Sequence, residues 1–281
     1  MTEIASTTLA CGSTATLAHD PYVPGAVQLL LNGTPQSHVL PGDPSQLFYA
    51  YMRRIGHIID GVAPARQPIT AIHLGGGAFT LPRYIAATRP GSSQQIIELH
   101  SELVELVRSH LPLPARQPIR VRHGDARAVA SKLPAGLHGA AHIMVVDVFA
   151  GARTPAHITS REFYETLQPF LHSDGVLCVN AADGAGQKFV RGQLATLQSV
   201  FKHVAAVGEP QILKGRRFGN VILLASNTEQ DWDWLPRALN AGPHPARLLL
   251  GAELREFIAG AKPVTDATAI QSPEPPAGLF S

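Results

Sequence analysis

The sequence predicts an α/β fold in which a parallel sheet, completed by antiparallel closing strands, follows a small N-terminal β-hairpin. From about residue 68, short apolar runs alternate with amphipathic segments, and this alternation is typical of a parallel sheet with helices on both faces. Ahead of it, two extended runs at 26–31 and 36–40 flank Asn32-Gly33. Both turn residues tolerate positive φ, so this dipeptide favours a tight hairpin turn.

Each element has its own signal along the chain. Residues 1–20 show no clear periodicity and are expected to be flexible, and the hairpin that follows leads into a helix that Asp43-Pro44-Ser45 begins. The strands of the sheet are predicted at 69–74, 95–99, 119–122, 142–147 and 176–180, with closing strands at 204–207 and 220–225. The helices between them are predicted at 81–88, 101–110, 126–132 and 161–170. The predicted organisation is a flexible segment over 1–20, a hairpin and helix over 21–60, a Rossmann-like domain over 61–268 and a disordered, Pro-rich tail over 269–281.

The composition excludes several classes of function. The 281 residues are 45% hydrophobic and 16% charged, as in an ordinary globular protein, and the net charge of +2 comes without a basic stripe that would bind nucleic acid. Cys11 and Cys178 are the only cysteines and the histidines lack ligand spacing, so no metal site is expected. No apolar stretch approaches the roughly 18 residues of a membrane span, and the N-terminus lacks the basic region of a signal peptide. By elimination we expect a cytoplasmic protein.

Four chemically suggestive features follow the ends of successive predicted strands, where ligands bind in open parallel sheets. Gly75-Gly76-Gly77 follows the first strand and allows a tight turn with close approach of a ligand. Glu98, at the end of the second strand, is placed to accept both hydroxyls of a ribose. Gly124-Asp125-Ala126 follows the third strand, where a carboxylate can accept from an adenine amine, and Asp147 ends the fourth strand.

Plainer interpretations of these features remain open. A glycine triplet also forms ordinary turns, and a strand-end Asp such as Asp147 also caps the helix or turn that follows it. A dinucleotide site would need a third glycine where the chain has Thr80, and no lysine of a phosphate-binding loop follows the glycines. An adenosyl-sulfonium ligand needs no pyrophosphate cradle and therefore fits the pattern better.

Six short motifs, in order, resemble the spermidine synthase family: Leu31-Asn-Gly-Thr-Pro-Gln36, His73-Leu-Gly-Gly-Gly77, Ile97-Glu98-Leu99, Gly124-Asp125-Ala126, Val145-Val146-Asp147 and Pro263-Val264-Thr265-Asp266. The resemblance spans about 26–268. It implies a class I methyltransferase-like Rossmann domain behind a small β element, and transfer of an aminopropyl group from decarboxylated S-adenosylmethionine to a diamine. It also implies that Asp147 is the catalytic residue and that the adenosyl ligand is bound by Gln36, Gly75, Gly76, Gly77, Glu98, Asp125 and Ala126.

Three positions depart from the family pattern. Ala78, Ala150 and Arg53 stand where the family usually has carboxylates, and Arg153 and His157 follow in the loop after Asp147. A diammonium substrate needs carboxylates to replace its water, so we expect the acceptor to be a small molecule other than a polyamine.

The donor and the activity have alternatives. The donor is S-adenosylmethionine or its decarboxylated form, so an S-adenosylmethionine-dependent methyltransferase is one alternative. A non-catalytic nucleoside-binding protein is another. We expect no nucleic-acid or membrane partner and leave a homodimer open.

Overall fold

The N-terminal region forms a four-stranded antiparallel sheet in the computed structural model, which describes residues 1–276. Its strands are β1 (Thr2–Thr8), β2 (Thr14–His19), β3 (Val27–Leu31) and β4 (Thr34–Val39). The predicted hairpin is confirmed as β3 and β4, with Asn32 at φ 48° and Gly33 at φ 79° in the turn. The expected flexibility of 1–20 is wrong, because Ala15 and Leu17 of β2 are fully buried and β2 pairs with both β1 and β3.

The second sheet has eight strands in the spatial order β12-β10-β11-β9-β8-β5-β6-β7. These strands are β5 (Thr70–Leu74), β6 (Ser93–Glu98), β7 (Ile119–His123), β8 (Ala141–Val146), β9 (Leu171–Asp183), β10 (His203–Gly208), β11 (Gly219–Ser226) and β12 (Arg247–Leu249). Strands β5 to β9 pair in parallel, whereas β11 is antiparallel to both β9 and β10. The predicted parallel sheet with antiparallel closing strands is therefore confirmed; β12 was not predicted.

Helices cover both faces of this sheet. They are α1 (Ala50–Gly61), α2 (Thr80–Thr88), α3 (Ser101–His110), α4 (Ala126–Ala130), α5 (Arg161–Leu167), α6 (Lys188–Gln198), α7 (Pro210–Leu213), α8 (Leu235–Asn240) and α9 (Gly251–Ile258). Apolar residues of α1, α2 and α8 pack on one face, those of α4, α5, α6 and α9 pack on the other, and α3 packs against the N-terminal sheet. Helix α1 begins at Ala50 rather than at the predicted Asp43, because the Asp43 carboxylate accepts from the Ser45 backbone and forms a turn.

The direction of the chain through the sheet reverses between β5 and β8, which lie side by side. Strands β6 and β7 extend the sheet from β5 in one direction, and β9 extends it from β8 in the other. A crevice opens at such a switch point, at the carboxyl ends of the strands. Gly75 follows β5 and Asp147 follows β8, so both residues lie at this crevice.

The segment after α9 returns to this end of the sheet. Ser272 is fully buried, and it exchanges two hydrogen bonds with Thr154: its backbone amide donates to the Thr154 carbonyl at 3.1 Å, and its hydroxyl accepts from the Thr154 amide at 2.8 Å. The expected disorder is therefore wrong for 269–276, because specific polar contacts replace apolar packing there; 277–281 lie outside the described residues. The division of the chain into units stays a prediction. Across 1–276 no helix is both long and apolar enough to cross a bilayer.

Candidate functional site

The glycine turn after β5 lies directly against the strand end that carries Asp147. Gly75 has φ +92°, and a Cβ built on it would lie 2.1 Å from the backbone oxygen of Asp147. Its amide donates to the Ile97 carbonyl at 2.9 Å, and the Asp147 amide donates to the Leu74 carbonyl at 2.9 Å. Both the backbone conformation and the close approach therefore require glycine at this position.

Glu98 holds the same turn from the end of β6. Its Oε2 accepts from the amides of Gly76 at 2.9 Å and Gly77 at 3.3 Å, and its Oε1 accepts from the His100 amide at 3.1 Å. The side chain is buried, with 8% of the residue exposed. A carboxylate offers about four acceptor positions, so three bonds leave capacity for one hydroxyl of a ligand. The structure thus brings together the glycines and the acid that the sequence singled out.

Strand β4 closes one side of the glycine turn. The Ser37 hydroxyl accepts from the Ala78 amide at 3.2 Å, and the His38 carbonyl accepts from the Thr80 hydroxyl at 3.2 Å. Gln36, predicted to contact the ligand, is half-buried immediately before Ser37. Ala78 is fully buried in the apolar cluster beneath the N-terminal sheet, so this position presents no polar group to the crevice.

Asp125 lies beside Glu98, because the Gly124 amide donates to the Glu98 carbonyl at 3.0 Å. The Asp125 carboxylate caps α4, accepting from the Ala128 amide at 2.9 Å, and its other oxygen lies 2.6 Å from His157 Nε2. Burial raises the pKa of Asp125, but the bonds from Ala128 and His157 outweigh it and the pKa is lowered. Ala126 is buried behind the cap. The capping interpretation therefore holds for Asp125, whose side chain is 38% exposed and accessible to a ligand.

Asp147 is held by partners from two other elements. Its Oδ1 accepts from the Asn180 side-chain amide of β9 at 2.8 Å, and Tyr51 of α1 faces the same carboxylate. Burial raises the pKa of Asp147 to about 6, although hydrogen bonding to Asn180 and Tyr51 lowers it in part. Asn180 and Tyr51 were not predicted as site residues. One signal was present for Asn180, because it is a polar residue in the apolar run of β9.

The loop after Asp147 is fastened by the C-terminal segment. Arg153 donates to the Ser272 carbonyl at 2.7 Å and pairs with Glu274 at 3.3 Å. The expectation that Arg153 brings an uncompensated positive charge to the acceptor side is therefore wrong, because Glu274 neutralises it. Ala150 is exposed, and its backbone pairs with that of Arg153 in the same loop.

A second attachment lies nearby. Arg127 of α4 forms two hydrogen bonds with Asp266, at 2.6 and 2.7 Å, and the Ser160 hydroxyl donates to the same carboxylate at the start of α5. Bonding to Arg127 lowers the pKa of Asp266 to about 2. The Asp266 of the matched C-terminal motif thus links α4 to the end of the loop rather than facing the crevice.

The arginines of α1 are arranged differently from the sequence expectation. Arg53 donates to the Phe48 carbonyl at 3.2 Å, in the turn that precedes its own helix. Arg54 is buried instead and pairs with Glu209 at 2.8 Å, and Arg217 binds the other oxygen of Glu209. In the part of the chain that the structure describes, no group of three or more His, Cys, Asp or Glu side chains is arranged to hold a metal ion.

Known proteins similar to this chain share one theme. No protein-family model matches it. A polyamine aminopropyltransferase from Vibrio vulnificus is 30% identical over 166 residues, which are 59% of this chain and 52% of that enzyme, so the chain spans about half the length of this relative. A polyamine aminopropyltransferase from Neisseria meningitidis is 26% identical over 210 residues, 73% of this chain and 74% of that enzyme.

Solved structures extend the similarity to almost the whole chain. A probable spermidine synthase from Corynebacterium glutamicum superimposes with a TM-score of 0.82 at 32% identity, covering 93% of this chain and 95% of that one. Spermidine synthase from Thermotoga maritima superimposes with a TM-score of 0.61 at 15% identity, covering 92% of this chain and 84% of that one. The second likeness shows the fold alone.

Proposed function

This chain belongs to the spermidine synthase family, and from that premise we propose that it transfers an aminopropyl group from decarboxylated S-adenosylmethionine to the amine of a small acceptor. The observation that carries the proposal is the contact between the glycine turn and Asp147. A ligand on Gly75 necessarily lies next to the strand end that carries the buried carboxylate, because a Cβ at Gly75 would already touch the Asp147 backbone. Donor and base thus share one crevice.

The donor half of the site is assigned to the residues at the ends of β5, β6 and β7. The adenosyl group lies along Gly75, Gly76 and Gly77, where a side chain would block its approach. Glu98 accepts from a ribose hydroxyl with the acceptor position that the backbone leaves free. Asp125 accepts from the adenine amine, Ala126 packs beside the base, and Gln36 reaches the ligand from β4.

The acceptor half is assigned to Asp147, which acts as the base. Its carboxylate takes a proton from the ammonium group of the acceptor, and the freed nitrogen attacks the methylene carbon of the propyl group next to the sulfonium sulfur. The new C–N bond forms as the C–S bond breaks, and methylthioadenosine leaves with the electron pair on sulfur. A base whose pKa is about 6 is ionised near neutral pH yet still accepts a proton effectively.

Calorimetry combined with a transfer assay tests this function. We expect methylthioadenosine and decarboxylated S-adenosylmethionine to bind, and methylthioadenosine to be released when an amine acceptor is added. Asp147→Asn is the matched control: it should keep nucleoside binding and lose transfer by about 10²–10⁴-fold, the usual contribution of a positioned base. Failure of every adenosyl compound to bind would contradict the assignment of the site.

Methyl transfer from S-adenosylmethionine is the second candidate, and one observation favours it. The position after the glycines is a buried alanine, Ala78, so it offers no carboxylate to the amine that the decarboxylated donor would place there. S-adenosylmethionine in the same calorimeter separates the two. Binding of S-adenosylmethionine without binding of its decarboxylated form would replace aminopropyl transfer by methyl transfer. Adenosyl binding with no turnover of either donor would instead support a non-catalytic nucleoside-binding protein.

A further inference from the structure

A row of polar side chains leads away from Asp147 along the carboxyl edge of the sheet. The Asn180 amide of β9 donates to Asp147 at 2.8 Å, and the Asn220 amide of β11 donates to Asn180 Oδ1 at 3.0 Å. Val221 pairs with Gly208, which places the next residues, Asn220 and Glu209, side by side. The row therefore crosses β8, β9, β11 and the end of β10, three strand spacings or about 14 Å.

Helix α1 lies over this row. Tyr51 and Arg54 are three residues apart and therefore share one face of the helix. Tyr51 faces Asp147 at the start of the row, and Arg54 pairs with Glu209 at its end. The row thus has a base at one end and a cluster of charged groups at the other, with the same helix above both.

The far end of the row carries excess positive charge. One carboxylate, that of Glu209, is shared by two guanidinium groups, those of Arg54 and Arg217. Arg54 is 3% exposed, and its Nε has no hydrogen-bond partner among the described residues. Asp183, the other acid at this edge, does not offset the charge, because its carboxylate accepts from the Gly184 and Val190 amides at the start of α6.

We propose that Arg54 and Arg217 bind an anionic group at the far end of the acceptor, so that the acceptor is an amino carboxylate rather than a diamine. Its ammonium group lies at Asp147 and its carboxylate lies at the arginines, above Asn180 and Asn220. This inference rests on the proposed function, because transfer to an amine makes Asp147 the reacting end. A diamine would place its second cation against two guanidinium groups that share a single carboxylate, and this arrangement disfavours it.

Pairs of acceptors of equal length test the proposal. The probes are linear diamines and linear ω-amino carboxylates with chains of about four to eight carbons, titrated calorimetrically with and without saturating methylthioadenosine. At the best length we expect the amino carboxylate to bind at least about tenfold more tightly than the diamine, as a charge-assisted contact typically gives. Arg217→Gln should remove that preference. Its matched control is Arg216→Gln, the same change of charge at an exposed neighbour that forms no ion pair with any residue of 1–276.

Three results would overturn the proposal: a diamine that binds as tightly as the amino carboxylate, Arg217→Gln behaving like Arg216→Gln, or no binding of either series. A lower melting temperature of Arg217→Gln with an unchanged preference would give the arginines a structural role only, and it also overturns the proposal. The proposed function fails separately. Release of methylthioadenosine with a diamine would support aminopropyl transfer while refuting the anionic end, whereas absence of any adenosyl binding would refute the transfer itself.

Discussion

The side-chain amide of Asn180 donates to Oδ1 of Asp147 at 2.8 Å, although the two residues are 33 positions apart in sequence. The bond joins the ends of two neighbouring parallel strands at the switch point of the sheet. It also acts on the ionisation of the carboxylate, since burial raises the pKa of Asp147 and this bond lowers it. Asn180 therefore influences how much of the base is charged near neutral pH.

Replacing Asp147 by Asn should stabilise the protein at neutral pH. The pKa of Asp147 is about 6 when folded, against a reference value of 3.8. The folded state therefore binds this proton more tightly than the unfolded chain, and the contribution of Asp147 to the free energy of unfolding falls as the pH rises from 3.8 to about 6. Thermal melts should show Asp147→Asn above wild type beyond about pH 6, with the difference shrinking toward about pH 4. An equal difference at every pH would contradict the buried carboxylate.

Asn180→Leu should shift the pH dependence of transfer. Leucine has a similar volume but cannot donate to the carboxylate, so the pKa of Asp147 should rise further and the rate should reach its plateau at higher pH. The control is Asn220→Leu, which leaves the direct bond to Asp147 in place and should give a smaller shift. The measurement is the pH profile of methylthioadenosine release. Identical profiles for wild type and Asn180→Leu would show that the bond does not affect the ionisation.

Gly75→Ala should destabilise the fold as well as the site. The added Cβ would lie 2.1 Å from the Asp147 carbonyl oxygen, at a φ of +92° that non-glycine residues rarely adopt. We expect a loss of at least about 2 kcal/mol in the free energy of unfolding, measured with urea. Gly42→Ala provides the control, because a Cβ there meets no atom within 4 Å and the backbone has no positive φ. Equal stability of the two variants would disprove the close contact between β5 and β8.

Glu98→Gln should separate support of the glycine turn from binding of the ligand. The glutamine oxygen can still accept from the Gly76 and Gly77 amides, so the turn should persist. Its amide nitrogen cannot accept from a ribose hydroxyl, and the charge that strengthens such a bond is gone. Calorimetry should show methylthioadenosine binding weakened about tenfold or more at an unchanged melting temperature. Undiminished binding would remove Glu98 from the donor site.

The alternation of strands and helices was predictable because burial on both faces leaves continuous apolar runs, as in β5, β8 and β9. Strands β1 and β2 were missed for the opposite reason. Their inward-facing residues, such as Ala15 and Leu17, alternate with threonine and histidine, so the apolar signal is diluted although the strands are well paired. The start of α1 was misplaced because the turn at Asp43 has the same composition as a helix cap.

The donor side of the site was predictable from local patterns, because each of its residues directly follows a strand. The residues around the acceptor were not, since their partners are distant in sequence: Asp147 meets Asn180 across 33 positions, and Arg54 meets Glu209 across 155. The sequence indicated Arg53 and Arg153 as the charged groups of this region. Helical phase turns Arg54 inward instead of Arg53, and Glu274 neutralises Arg153.

The fastening of the loop after Asp147 has a consequence for synthesis on the ribosome. Arg153 and Thr154 are held by Ser272 and Glu274, partners 118 to 121 positions further along the chain. The glycine turn and Glu98 are joined by contacts of only 21 to 22 positions, so they can associate soon after translation of β6. A nascent chain therefore assembles its nucleoside half early, and the acceptor half matures only once the last of these partners has left the exit tunnel.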